Sequence, residues 1–332
     1  MMLASSADDA RRMYGSPARG NSLPRRTLEV TPSRTKCSFS RHSRRKLGDV
    51  TDYRPGRRLR TKGGERALSL GIWAGLGVAA CAVSSALGNM SLAWIFVVVA
   101  PTGHTLFVQA QARRYNRIAA PGHLALTAGD AMTAQREFAE ARAKVRWPGF
   151  LRRLGDYNRA FALIRQGEFA AAIELLSDLD QRGGVLNLDG AIAGAFALAQ
   201  ALAGNVELAE DWLAETRRRY GQYRASGVRV PAFAFALSEA AVQLRAGQAE
   251  IVSNRLANEW TQLENSVTGN ILRPMRVLRA FALAQSSGPR DAALVDSLVA
   301  ALRGTSTRDI DYLGAAWPEM HVFMSAHDLI QA

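Results

Sequence analysis

Two apolar runs, 67–87 and 91–108, divide the chain into a polar stretch before them and a long Ala-rich region after them, where apolar residues recur at helical spacing. The first run reads ALSLGIWAGLGVAACAVSSAL and carries no charge. As a helix it is roughly 31 Å long, against a bilayer hydrocarbon core of about 30 Å. The second, SLAWIFVVVAPTGHTLFV, is shorter and interrupted by Pro101, Gly103 and His104. Only Gly88, Asn89 and Met90 lie between them. Two spans so closely linked form a hairpin, which leaves both flanks on one side of a membrane. Within the first run Ala67, Gly71, Gly75 and Ala79 fall four residues apart on one helical face. Gly71 and Gly75 make a GxxxG pair, small enough to let a second helix approach closely. The short link makes the second run, with Ile95, Phe96 and Val99, that partner. His104 is the one readily ionisable side chain of the two runs. It is read as reaching the interface or bonding a carbonyl freed by Pro101, since neither run offers an acidic partner for a proton relay.

From residue 115 onward the pattern repeats: an Ala-rich helix, a glycine, then a second helix with apolar periodicity. The glycines are Gly129, Gly167, Gly204, Gly247 and Gly288, spaced 38, 37, 43 and 41 residues apart. Five residues after each stands a small or modest apolar residue: Ala134, Ala172, Ala209, Val252 and Ala293. Nine after stand Phe138, Leu176, Leu213, Leu256 and, out of pattern, Ser297. Seven before stand Gly122, Ala160, Ala197, Ala240 and Phe281. The glycine supplies the left-handed turn that ends a helix. The small residues mark a close helix crossing, and the large one fills the space toward the next pair. A single helix pair cannot bury its apolar face, but stacked pairs can.

These residues resemble the tetratricopeptide repeat. The clearest unit runs Gly122, Gly129-Asp130, Ala134, Phe138, Ala141, in the family's order of small, turn, small, large and small positions. Gly167-Glu168-Phe169 with Ala172 and Leu176, and Gly204-Asn205 with Ala209 and Leu213, follow it closely. The longer period and the missing Trp and Pro at the repeat ends depart from the family. The resemblance implies an α-solenoid of about five helix pairs, and with the apolar runs the expected fold is all-α: a two-helix transmembrane hairpin followed by that solenoid. The expected divisions are a disordered basic tail over 1–66, the hairpin over 67–110, the repeats over 115–304 and a C-terminal capping helix over 305–332. The layout is also similar to that of the HemY-type bacterial inner-membrane proteins, a family tied to haem biosynthesis.

Charge changes the picture only for the tail. Residues 1–66 hold 17 of the 42 Lys and Arg but 6 of the 29 Asp and Glu, so most of the net +13 lies there. The basic density rises toward the first run, through Arg54, Arg57, Arg58, Arg60, Lys62 and Arg66. Arg113, Arg114 and Arg117 follow the second run. Basic residues on both outer flanks predict cytoplasmic termini, with attraction of the tail to anionic lipid as a further expectation. Aromatic residues are too sparse in the tail to favour nucleic acid.

Candidate chemistry is thin. Cys37 and Cys81 have no evident partner, which argues against a disulfide framework or a thiolate metal site. His321 and His327 are six residues apart and do not share a helix face as a metal pair would. No phosphate loop, dinucleotide fingerprint, nucleophile elbow or zinc pattern is present. The expectation is therefore a protein without catalytic, cofactor or metal residues. Arg217, Arg218 and Arg219, at the end of a helix that begins acidic, read as a solvated helix end. Some tetratricopeptide proteins clamp a partner's C-terminal carboxylate with basic residues. The resemblance makes Arg152, Arg153, Arg159 and Arg165 candidates for that role. The expected function is a membrane-anchored adaptor or scaffold binding a protein partner through the repeats, in a bacterial inner membrane. The alternatives are a HemY-like accessory subunit of a membrane-associated enzyme pathway and a membrane-bound regulator whose tail contacts nucleic acid.

Overall fold

A computed structural model describes residues 53–55, 82, 85–86, 90–145, 149–182, 186–225, 232–266, 269–286, 292–303 and 309–330, with the backbone alone at 90–101, 104, 186–187, 223–225, 232, 234, 266 and 269–270. Contacts divide the chain into units 1–49 and 50–332, and all described residues belong to the second. Among them the secondary structure is entirely helical. The helices are α1 (Met90–Thr127), α2 (Ala131–Lys144), α3 (Gly149–Arg165), α4 (Phe169–Arg182), α5 (Leu186–Ala203) and α6 (Val206–Ala225). They continue with α7 (Ala232–Arg245), α8 (Ala249–Ser266), α9 (Arg273–Ser286), α10 (Ala292–Ala300) and α11 (Pro318–Ala326). Short 3-10 turns cover Gly269–Leu272 and Asp311–Leu313.

The helices stack as antiparallel pairs in a solenoid-like succession. The first members, α1, α3, α5, α7 and α9, touch one another in order. Each second member packs between its own partner and the first helix of the next pair. The main core runs from α3 to the C-terminal segment. A smaller cluster of Tyr115, Ala119, Ala134, Phe138, Ala141, Val145, Leu151 and Ala162 joins the first pair to α3, and Leu154 packs against both clusters.

Four turns share one geometry. Gly129, Gly167, Gly204 and Gly247 have φ of 84, 78, 92 and 75°. In each the following N–H reaches back to the carbonyl five residues earlier, as Asp130 N to Ala125 O at 2.9 Å and Gln248 N to Gln243 O at 2.9 Å. The glycine N–H bonds the carbonyl three residues earlier, which completes the double closure of a left-handed helix cap. The residue five beyond each glycine then donates the first bond of the next helix, as Ala134 N does to Asp130 O at 3.0 Å. The Asp130 carboxylate caps the same helix by accepting from Thr133 N at 3.0 Å.

α1 is a single helix of 38 residues that takes in the second apolar run and continues through Pro101 and Pro121. Among the described residues no helix is long and apolar enough to cross a membrane. The first apolar run, with Gly71, Gly75 and Ala79, lies outside the described residues except for Ala82, Ser85 and Ala86. Most of the basic tail lies outside them too.

Candidate functional site

The repeat residues occupy equivalent places in the first four pairs. Ala134, Ala172, Ala209 and Val252 are all fully buried, and so are Phe138, Leu176 and Leu256, with Leu213 nearly so. Gly122 faces Phe138 so closely that a Cβ on it would stand 2.8 Å from the ring. The fifth pair departs. Gly288 lies outside the described residues, and Ala293 is exposed. Its buried face is carried by Val295, Leu298 and Val299, so the small and large positions fall two residues later than the glycine spacing predicts.

The candidate arginines take up different partners. Arg152 is exposed. Arg153 is buried and donates to the Arg182 carbonyl at 3.3 Å. Arg159 pairs at 3.3 Å with Asp156, a buried carboxylate that Arg142 also holds. Arg165 donates to the Tyr312 hydroxyl at 3.3 Å and lies over that ring at 4.8 Å.

Arg165 leads to the C-terminal segment, which does more than cover the last pair. Asp309 lies against the Gly129 turn, where a Cβ would stand 3.0 Å from its backbone nitrogen. It also pairs with Arg273 of α9 at 2.9 Å, both side chains being almost wholly buried. Burial raises the Asp309 carboxyl above its usual range, against the pull of Arg273 and Arg165. Ala315 then passes Gly167. The Ala316 carbonyl accepts from Arg245 of α7 at 2.6 Å, and Arg245 covers the Trp317 ring at 4.8 Å. Trp317 and Phe323 both meet Phe281 of α9 edge-on at 5.4 Å. In this way 309–326 touches the first, second, fourth and fifth pairs. Its apolar residues Ile310, Tyr312, Leu313, Trp317 and Met320 are buried by them.

A second surface centres on α6. Phe196 of α5 and Trp212 of α6 stack at 4.2 Å and 9°. The Tyr53 ring lies 5.8 Å from each. The Trp212 indole N–H donates to the Tyr53 carbonyl at 3.0 Å. The Tyr53 hydroxyl donates to Asp180 of α4 at 3.2 Å. Beside it Arg54 pairs with Glu207 at 3.2 Å and with Asp211 at 3.4 Å, one turn apart on the outer face of α6. Beneath the tyrosine is a buried ion network. Arg219 donates to Asp180 at 2.8 Å, to the Asp189 carbonyl at 2.8 Å and to Glu215 at 2.6 Å. Burial alone would lower the Arg219 pKa, but Asp180 and Glu215 outweigh it and raise it. Burial works against Glu215 as a charge too, yet bonds from Arg218 and Arg219 hold it down to about 2.

Arg217 and Arg218 do lie at the surface, paired with Glu239 and Glu215. Arg219 does not; only 3% of its side chain is exposed. It stands seven residues after Trp212, two helical turns along the same face, and that spacing was the available signal. Tyr53 had no comparable signal. No group of metal-ligating residues occurs among the described residues. No protein-family model, curated protein or solved structure matches the chain.

Proposed function

We propose that the chain is a membrane-anchored adaptor of tetratricopeptide-like repeats that binds a protein partner through the surface of its helix pairs. The observation that carries the reading is the four-fold recurrence of one turn, Gly129, Gly167, Gly204 and Gly247, each followed five positions on by a fully buried alanine or valine. Arrays of this kind present an extended surface built from rigid, independently varied units. That suits recognition better than chemistry, which needs converging reactive groups.

The anchor rests on the uncharged run 67–87, with a two-span hairpin as its form. The contacts of Tyr53 and Arg54 with α4–α6 support that topology. They fit a chain whose segment before the apolar runs shares one side with the helix pairs after them, as it does with a hairpin. The flanking arginines make that side the cytoplasm. Because α1 is continuous from Met90, it would carry the second run straight into the first pair within one helix of about 57 Å.

The test uses a C-terminally tagged full-length chain in sealed membrane vesicles, with photo-crosslinkers at the exposed Met132 and Ile251. The chain should stay with the membrane in alkaline carbonate. The tag should be digested in inverted vesicles and spared in right-side-out ones, and one discrete protein adduct should form. Release by carbonate overturns the anchor. Digestion only in right-side-out vesicles overturns the hairpin. Absence of any protein adduct at both positions overturns the adaptor.

A further inference from the structure

We propose that the α4–α6 surface is a peptide-recognition site for a tyrosine–arginine segment, filled in this structure by the chain's own Tyr53-Arg54 and open to the same dipeptide presented by another chain. The inference concerns one site on the repeat surface and stands independently of the membrane anchor.

Two consecutive residues make the contacts seen among the described residues, and each contact reads a different feature. The aromatic pair Phe196 and Trp212 takes the ring. Asp180 takes the phenolic hydroxyl, which distinguishes tyrosine from phenylalanine. The Trp212 N–H takes the main-chain carbonyl. Glu207 and Asp211 take separate nitrogens of the guanidinium, which a lysine ammonium cannot match. Everything on the receiving side belongs to packed helices. Asp180 and Arg219 are fixed by each other, and Trp212 is clamped on Phe196. The site therefore exists before its ligand arrives, which limits the ordering cost of binding to the ligand itself.

The size of the contact decides how the site behaves. A dipeptide with one stacked ring and one exposed ion pair binds weakly by itself, with a Kd of roughly 0.1–1 mM. The covalent connection to the helix pairs supplies an effective concentration on the order of 1 mM. The two are close, so the segment stays docked without being locked. A partner carrying the same dipeptide displaces it once its own contacts add about tenfold in affinity. The tethered segment sets a threshold that excludes weak ligands.

The test is a fluorescein-labelled peptide of residues 50–56, VTDYRPG, titrated into the full-length chain in detergent micelles and followed by fluorescence anisotropy. The wild-type chain should bind it weakly. The double variant Tyr53→Ala, Arg54→Ala, with its site emptied, should bind about two- to tenfold more tightly. Adding Glu207→Lys and Asp211→Lys to the emptied chain should remove that gain, and a peptide with alanine for tyrosine should not bind. Equal affinity for wild type and emptied chain overturns the proposal, as does binding that survives the two charge reversals. Arg54→Glu provides a second route if the double variant does not fold. It leaves the ring in place but repels Glu207 and Asp211, and it too should bind the peptide more tightly than wild type; no increase overturns the proposal.

Discussion

Gly122 lies under the ring of Phe138, the glycine on α1 and the phenylalanine on α2, so close that a single methyl group would stand 2.8 Å from Cε1 and 3.0 Å from Cδ1. Both ends of the contact are fixed, since Phe138 is fully buried and Gly122 is within a helix. We expect Gly122→Ala to cost about 1–3 kcal/mol by overpacking. Phe138→Ala should cost about 3–5 kcal/mol by leaving a cavity. Because these residues belong to the smaller cluster, hydrogen exchange should accelerate first in α1 and α2. Equal acceleration in α7 and α8 would contradict that division of the core.

The four turn glycines are alike in conformation but not in surroundings. Nothing lies within 4 Å of a Cβ on Gly247, whereas one on Gly129 would stand 3.0 Å from the Asp309 nitrogen. Gly247→Ala should therefore cost only the left-handed backbone penalty, about 1–2 kcal/mol. Gly129→Ala should cost that and more, because the C-terminal segment must shift. Urea midpoints of the two variants rank them, and the reverse order would refute the placement of Asp309.

Arg273 and Asp309 form a buried pair, so breaking it and replacing it have different consequences. Arg273→Ala leaves a buried carboxylate without its counter-ion, a loss of about 3–5 kcal/mol. The double change Arg273→Met, Asp309→Leu should recover most of that stability. A double variant no better than Arg273→Ala in thermal or urea unfolding would mean that the pair contributes far more than its charge balance.

Acid should weaken the network around α6. Glu215 ordinarily titrates near 4.5 and in the folded chain near 2, held there by Arg218 and Arg219. A carboxyl depressed on folding stabilises above its unfolded pKa, and that stability is lost as pH falls through the folded value. The window is therefore pH 4.5 down to 2. Urea midpoints should fall across it in wild type and fall less steeply in Glu215→Gln, while the variant is the less stable of the two at pH 7. Parallel slopes would exclude Glu215 as a contributor.

The helix pairs were legible because their determinants are local. A glycine at φ near +80° between two apolar-periodic stretches defines a turn whatever surrounds it, and Gly129, Gly167, Gly204 and Gly247 all adopt it. The fifth pair was legible only in outline: its apolar face survives two residues out of phase, so a spacing anchored on Gly288 selected the exposed Ala293. What periodicity does not encode is the identity of the partner across a surface. Tyr53 meets Trp212 across 159 residues. Nothing in the sequence around it distinguishes it from the other residues of a basic stretch. The sequence predicts a capping helix over 305–332, and the helix found there, α11, spans Pro318–Ala326. The reach of Asp309 to Gly129 depends on how the stacked pairs curve, a sum of small rotations that no single repeat specifies. Arg219 was misjudged because charge sequence was weighed above helix phase.

The C-terminal segment also sets a timetable. A ribosome releases helix pairs one after another, and each can settle on its predecessor as it emerges. The strip from Asp309 to Ala326 is made after all five, and it touches the first two and the last two. Until it is delivered, the places it fills stand open and apolar, so the newborn array has a sticky phase whose length is set by translation speed. A chaperone that recognises exposed apolar surface has its opportunity in that interval, and a stalled or shortened message would leave the interval permanent.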